Sequence, residues 1–347
     1  MKPASGDFAA LSQRAGKVLV MELAGLGDNV HLLPALWLAR QHYANAELHV
    51  MASAHGAELF KLTPWVDGVW AYPRLPRPPS LWGTLQWGQK LRREHFDVVI
   101  NTTGSDRSSL LTRMTGAGLR AGRRPADGGP PGWNHLFTHV VEQPYYTEAM
   151  YWQKWRCLRQ LGFEGAQPEF HVEIDPSLRA VNGIGADHEK RYLHLSPFTS
   201  SDRKELPETQ LIEVIEALHR RFADQPVAIS CAPSERERGK LKQLLAQLSF
   251  QPRHLFPGTL DVAALTSVIQ GAALHLGGDS GGLHLAFIAG TPAVIWYREH
   301  GGRLEWTPPG NRHRLLVSDP GGAARLTGIS TAEVLDTARE LLGGAAP

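Results

Sequence analysis

Twice in this chain a short apolar run ends in a glycine-bearing turn that passes at once into a helical pattern. The first is Lys17–Glu22 (KVLVME), followed by AGLGDN and by apolar residues at helical spacing through Leu32, Leu33, Leu36 and Leu38. The second is residues 273–277, followed by GGDSGG and a helical stretch over 282–289. A buried strand, a tight turn and an amphipathic helix make the first half of a β-α-β unit, and repeated units build a parallel sheet covered by helices.

The flanking sequence extends both series. Strands are expected over 47–52, 67–72 and 96–101, and helices over 31–42, 81–95, 108–118 and 149–161. Residues 119–132 (LRAGRRPADGGPPG) read as loop. The second series begins with a strand over 191–195. Helices over 206–222, 234–248, 262–270 and 331–342 then alternate with strands over 226–231, 253–256 and 293–297. Residues 168–188, with Pro176 and the VNGIG stretch, suit a crossover. A chain of 347 residues is long for one domain and comfortable for two. The expected division is 1–178 and 179–347, with the last helix a candidate to pack back on the first domain.

Composition narrows the function. The formal net charge is +2, so no global field draws the chain to nucleic acid. Cys157 and Cys231 stand far apart and in no metal-ligand spacing, which argues for a reducing, cytoplasmic setting rather than a disulfide framework. The apolar run over 283–297 is interrupted by His284, Gly290 and Pro292 and is too short to cross a bilayer.

The first turn is not a dinucleotide fingerprint. Gly25 and Gly27 supply G-x-G, but Val30 takes the third glycine position, and no acid closes the second strand to hold a ribose. Asp28 stands where the turn becomes a helix, at the edge where open α/β sheets bind ligands. It reads either as a helix N-cap or as a general base. His31 follows at i+3 and is a candidate acceptor contact.

The second turn supports several readings. Gly278, Ser280 and Gly282 satisfy G-x-S-x-G, the nucleophile turn of α/β-hydrolases. That triad would need Glu299 or Glu305 and then His313, crowded into a few dozen residues. Alternatively, backbone N–H groups at a glycine-rich helix start bind a phosphate, with Ser280 and His284 nearby and Asp279 capping the helix or holding the loop. A tight turn without a ligand is the plain alternative. Between the two turns, HLSPFTSSDRKELP places hydroxyls and the cation Lys204 at a strand end, which suits a diphosphate, although a solvated Arg203–Lys204 pair is as simple. No D-x-D or H-E-x-x-H occurs, so no metal is expected.

GLGDNVHLLPAL, SPFTSSDRKELP and GGDSGGLHLAFIAGTPAVIWY, in that order, resemble glycosyltransferase family 9, the ADP-heptose:lipopolysaccharide heptosyltransferases. The resemblance covers roughly residues 17 to 320. It implies an α/β GT-B fold, two Rossmann-like domains facing a central cleft, and an inverting, metal-independent transfer of heptose from ADP-heptose to the inner core of lipopolysaccharide. Apart from the ADP-sugar as co-substrate, no cofactor is implied. By similarity Asp28 is the general base, and Lys204 contacts the donor diphosphate beside Thr199 and Ser200. Asp279, Ser280, Gly281 and His284 surround the nucleotide sugar, and Glu235 or Glu237 contacts the nucleoside.

The acceptor is expected on the N-terminal domain, met by His31 and by Arg120 and Arg123 of a basic segment that includes Arg113 and Arg124. Arg74 and Arg77 are further candidates. Ser280 replaces a frequent threonine, Leu206 a tryptophan, and Asn29 is an addition that bears on the pose of Asp28. A lipid-linked acceptor implies peripheral contact with the inner face of the inner membrane. The competing readings are a hydrolase using Ser280 and a non-catalytic nucleotide-sugar-binding module.

Overall fold

A computed structural model describes residues 8–73, 79–185, 189, 191–300, 302–307, 312–321 and 324–343. The chain forms two compact α/β units, Met1–Glu173 with Leu304–Trp306, and Ile174–Arg303 with Thr307–Pro347. Arg74 and Arg77 lie outside the described residues.

The first unit holds β1 (Lys17–Glu22), β2 (Glu47–Ser53), β3 (Gly68–Tyr72), β4 (Val98–Asn101), β5 (Leu119–Arg123) and β6 (His139–Val141). They lie in the order β3-β2-β1-β4-β5-β6, every pair parallel. The second unit holds β7 (Leu193–Ser196), β8 (Val227–Cys231), β9 (His254–Pro257), β10 (Leu274–Gly278), β11 (Ala293–Tyr297) and β12 (His313–Val317). Their order, β12-β11-β10-β7-β8-β9, is the same topology, again all parallel. In each unit the chain winds outward from its first strand, then returns to that strand's other side. The reversal opens a crevice at the strand ends, between β1 and β4 in one unit and between β7 and β10 in the other.

The strands that flank these crevices are buried on both faces, which is why they read as near-continuous apolar runs. Leu19 and Met21 of β1 pack with Met51, Val99, Leu91 and Leu111. In the second unit the helix Glu208–Arg221 buries Leu211, Val214, Ile215 and Leu218, one stripe at helical spacing, against Leu193, Leu195, Leu274 and Leu276.

Three sequence expectations change. Residues 119–132 are not all loop, because Leu119–Arg123 pairs with β4 and β6 as a strand that its arginines and glycine did not announce. The units divide after Glu173 rather than after residue 178. The short helix Ser177–Val181 packs on Val262–Gly271, and Ser267 Oγ donates to Asp175 O at 2.7 Å, which ties this stretch to the second unit. The last helix, Thr331–Gly343, stays in the second unit, burying Val334, Ala338 and Leu341 in its core. Among the described residues no helix is long and apolar enough to cross a membrane.

Candidate active site

At the end of β1 the chain turns through Leu23–Gly25 into a short helix, Leu26–Val30, so Asp28 is its third residue rather than its N-cap. Its Oδ2 accepts from the Gly25 N–H at 2.9 Å, reaching back one turn as the acid of a capping box does. Asn29 is fully buried and donates to Gly25 O at 2.8 Å, while Ser53 Oγ donates to Ala24 O at 2.7 Å. A Cβ at Gly56 would fall 2.3 Å from Asn29 Nδ2, so that glycine makes room for the brace. The additional asparagine therefore fixes the turn that carries Asp28.

The expected acceptor residues are placed differently. His31 lies beyond the end of the short helix, 1% exposed, with its ring edge-on to Trp306 and tilted against Tyr151. Arg123 is 3% exposed. It donates to Pro144 O at 2.9 Å and Gln153 Oε1 at 2.6 Å, with its guanidinium 3.5 Å from the centre of the Tyr145 ring. Arg120 donates to Leu136 O at 3.0 Å and Ala117 O at 2.5 Å. A guanidinium held by carbonyls inside its own unit is a structural clamp, which describes buried Arg123, whereas Arg120 is only half-buried.

In the second unit the segments after β7 and β10 meet. Lys204 Nζ donates to Asp279 Oδ2 at 2.6 Å, with the Lys204 side chain 37% exposed and Asp279 9%. Asp279 thus holds the Lys204 ammonium across the two segments. The approach is close because Gly278 lacks a side chain. A Cβ there would stand 2.8 Å from Thr199 Cγ2 and 2.9 Å from Lys204 O. Ser280 occupies the N-cap of the helix Gly281–Ile288 without a side-chain cap bond. Ser200 is exposed, whereas Thr199 is buried and its hydroxyl donates to Ser201 O at 2.7 Å. Glu237 is buried and accepts from Ala232 N at 2.8 Å; burial raises its pKa. Glu235 is exposed at the first position of its helix.

Glu205, which the sequence did not single out, organises the Lys204 loop. It is 2% exposed and accepts from Thr199 N at 2.9 Å, Arg236 Nη2 at 2.9 Å, Lys240 Nζ at 2.7 Å and Arg325 Nη1 at 2.8 Å. Lys240 and Arg236 also bond Asp202 and hold its carboxyl down to about 2. The legible signal was Arg236 and Lys240, two cations at i and i+4 on one helix face, with Asp202 and Glu205 elsewhere to meet them.

Beneath the second turn lies a row of buried histidines. His194 and His275 share a bond between their Nδ1 atoms at 2.9 Å, and His194 Nε2 meets Ser230 Oγ at 3.0 Å. Burial pushes His194 down to about 3 and His275 well below its ordinary value. It takes His284 and His313 to about 4. These rings are neutral in the native state, whereas an unfolded chain protonates them below about pH 6.5. The unfolded state then binds more protons, so stability is intact above that pH and falls as pH drops from about 6.5 towards 4. The urea midpoint is expected to be clearly lower at pH 5.5 than at pH 7.5. A midpoint unchanged between them would contradict buried neutral histidines.

The hydrolase triad is not assembled. Among the described residues His313 lies edge-on to Phe287 with no hydrogen-bond partner for its Nδ1, Glu299 pairs with Arg303 at 3.3 Å, and Glu305, which belongs to the first unit, accepts there from Tyr146 N and Gln153 Nε2.

Two parallel α/β units of one topology, each with a turn built at its crevice, are the GT-B glycosyltransferase fold class. The solved structure of E. coli ADP-heptose lipopolysaccharide heptosyltransferase II superposes with a TM-score of 0.75 at 18% identity, covering 94% of this chain and 99% of that one. E. coli heptosyltransferase WaaC with ADP-2-deoxy-2-fluoro heptose gives 0.71 at 19% identity, covering 93% and 99%. Lipopolysaccharide heptosyltransferase 1 of Pseudomonas aeruginosa is 25% identical over 293 residues, 80% of this chain and 77% of the relative. The family model of glycosyltransferase family 9 (heptosyltransferase) matches residues 84–324, more than half of the chain. The chain belongs to that family and is a glycosyltransferase.

Proposed function

We propose that this enzyme transfers heptose from ADP-heptose to the inner core of lipopolysaccharide, with inversion at the anomeric carbon and without a metal ion. The observation that carries the reading is the Lys204–Asp279 pair at 2.6 Å, in which two family motifs 75 residues apart come together at a sheet crevice. In this reading Asp28 takes the proton of the acceptor hydroxyl as its oxygen forms a bond to the heptose anomeric carbon. The bond from that carbon to the diphosphate oxygen breaks on the opposite face, which inverts the centre. ADP departs with the bonding electrons, and Lys204, with the N–H groups of the helix starting at Gly281, stabilises its charge. Thr199, Ser200, Ser280 and His284 complete the donor pocket, and Glu235 or Glu237 meets the nucleoside. A cytoplasmic enzyme in peripheral contact with the inner membrane fits a lipid-linked acceptor.

The test is transfer from ADP-heptose to a heptose-deficient lipopolysaccharide core, with the anomeric configuration of the product read by NMR. Full activity is expected in excess EDTA. Loss of activity in EDTA, restored by a divalent ion, would overturn the metal-free scheme. Binding of ADP-heptose without turnover on any core acceptor would instead favour a non-catalytic module.

A further inference from the structure

Glu22 and Lys154 form an ion pair inside the first unit, their side chains 1% and 3% exposed. Lys154 belongs to the helix Met150–Gln160, far along the chain from β1. Its Nζ also donates to the backbone carbonyl of Asp28 at 3.1 Å. The donor meets that carbonyl where the helix beneath it stops. The Leu32 N–H, which a continuing α-helix would bring to Asp28 O, bonds Asn29 O instead.

Glu22 gathers the rest of the turn. Its carboxylate accepts from Ala24 N at 3.2 Å, Thr102 Oγ1 at 2.8 Å and Thr103 Oγ1 at 3.2 Å, and Thr103 Oγ1 accepts from Leu23 N at 2.8 Å. One buried pair therefore links the end of β1, the residues after β4, and the backbone of Asp28 itself.

A buried ion pair is a poor device for stability, since desolvating both charges offsets most of their attraction. This pair does something an apolar pair of the same size cannot: it presents an N–H donor to one particular carbonyl. We propose that Lys154, held by Glu22, is a positioning residue that fixes the Asp28 turn for proton abstraction. The proposal rests on Asp28 as the base.

Lys154→Met alone strands a buried carboxylate and is expected to destabilise the fold, so the informative protein is the double variant Glu22→Gln/Lys154→Met. With both charges removed, its thermal midpoint is expected to recover relative to Lys154→Met. Its kcat should remain depressed, on the order of 10- to 100-fold for a reacting group held loosely. ADP affinity, a property of the second unit, should match wild type. Amide hydrogen exchange over residues 26–32 should be faster than in wild type. Wild-type kcat in the double variant, or unchanged exchange over 26–32, overturns the proposal. Failure of the underlying reading shows elsewhere: wild-type turnover by Asp28→Asn removes the base and leaves the exchange result on Lys154 to stand by itself.

Discussion

Asp28→Asn is expected to lower the turnover of heptose transfer by about 10²- to 10⁴-fold, the contribution a positioned general base makes. Asparagine is the telling replacement because it keeps the shape of the turn. Its side-chain oxygen can still accept from the Gly25 N–H, the 2.9 Å bond that Asp28 Oδ2 makes, while its basicity is gone. Asp28→Ala confounds the two, since loss of the reach-back bond adds a cap penalty of about 1 kcal/mol. The expected pattern for Asp28→Asn is therefore a collapsed kcat with thermal midpoint and ADP affinity close to wild type. Turnover within a factor of a few of wild type would remove Asp28 from the chemistry and leave it a cap.

The second large effect concerns the donor. Lys204→Ala is expected to weaken ADP binding by about 10- to 100-fold, the equivalent of one charge-assisted hydrogen bond of roughly 1.5–3 kcal/mol. In the free protein the ammonium is held by Asp279 at 2.6 Å. Asp279 keeps it at the edge of the crevice, as a preorganised cation rather than a mobile one. Asp279→Asn leaves the charge but loosens its placement, so its loss of affinity should be smaller than that of Lys204→Ala. The double variant should lose less than the sum of the two, because the residues act as a unit. Calorimetric titration with ADP measures all four corners of the cycle. Strict additivity would mean that Asp279 does not orient Lys204, and an unaltered ADP affinity in Lys204→Ala would remove the lysine from the donor site.

Much of this was legible in the sequence because the signals were local. The glycine turns follow strands and precede helices, and such order survives without any knowledge of packing. The motifs around Asp28, Lys204 and Asp279 were each visible as short strings. Less legible was whatever depends on what surrounds a residue. Arg120 and Arg123 look like solvent-facing cations in a loop, yet the strand they occupy turns Arg123 inward onto carbonyls and a tyrosine ring. His31 looks like a neighbour of Asp28 at i+3, but the helix ends between them and the ring is buried.

The sequence by itself determined the alternation of strands and helices, the two sheets it implies, and the three segments that resemble the family's motifs. Periodicity and turn composition act over a few residues, and that range suffices for them. The tertiary structure alone decided which charges meet: Lys204 with Asp279 across 75 residues, Glu22 with Lys154 across 132, and four donors converging on Glu205. Whether a charged side chain is a solvated surface group or a fixed part of a site depends on burial and on its partner, and both are set by contacts between segments far apart in the chain.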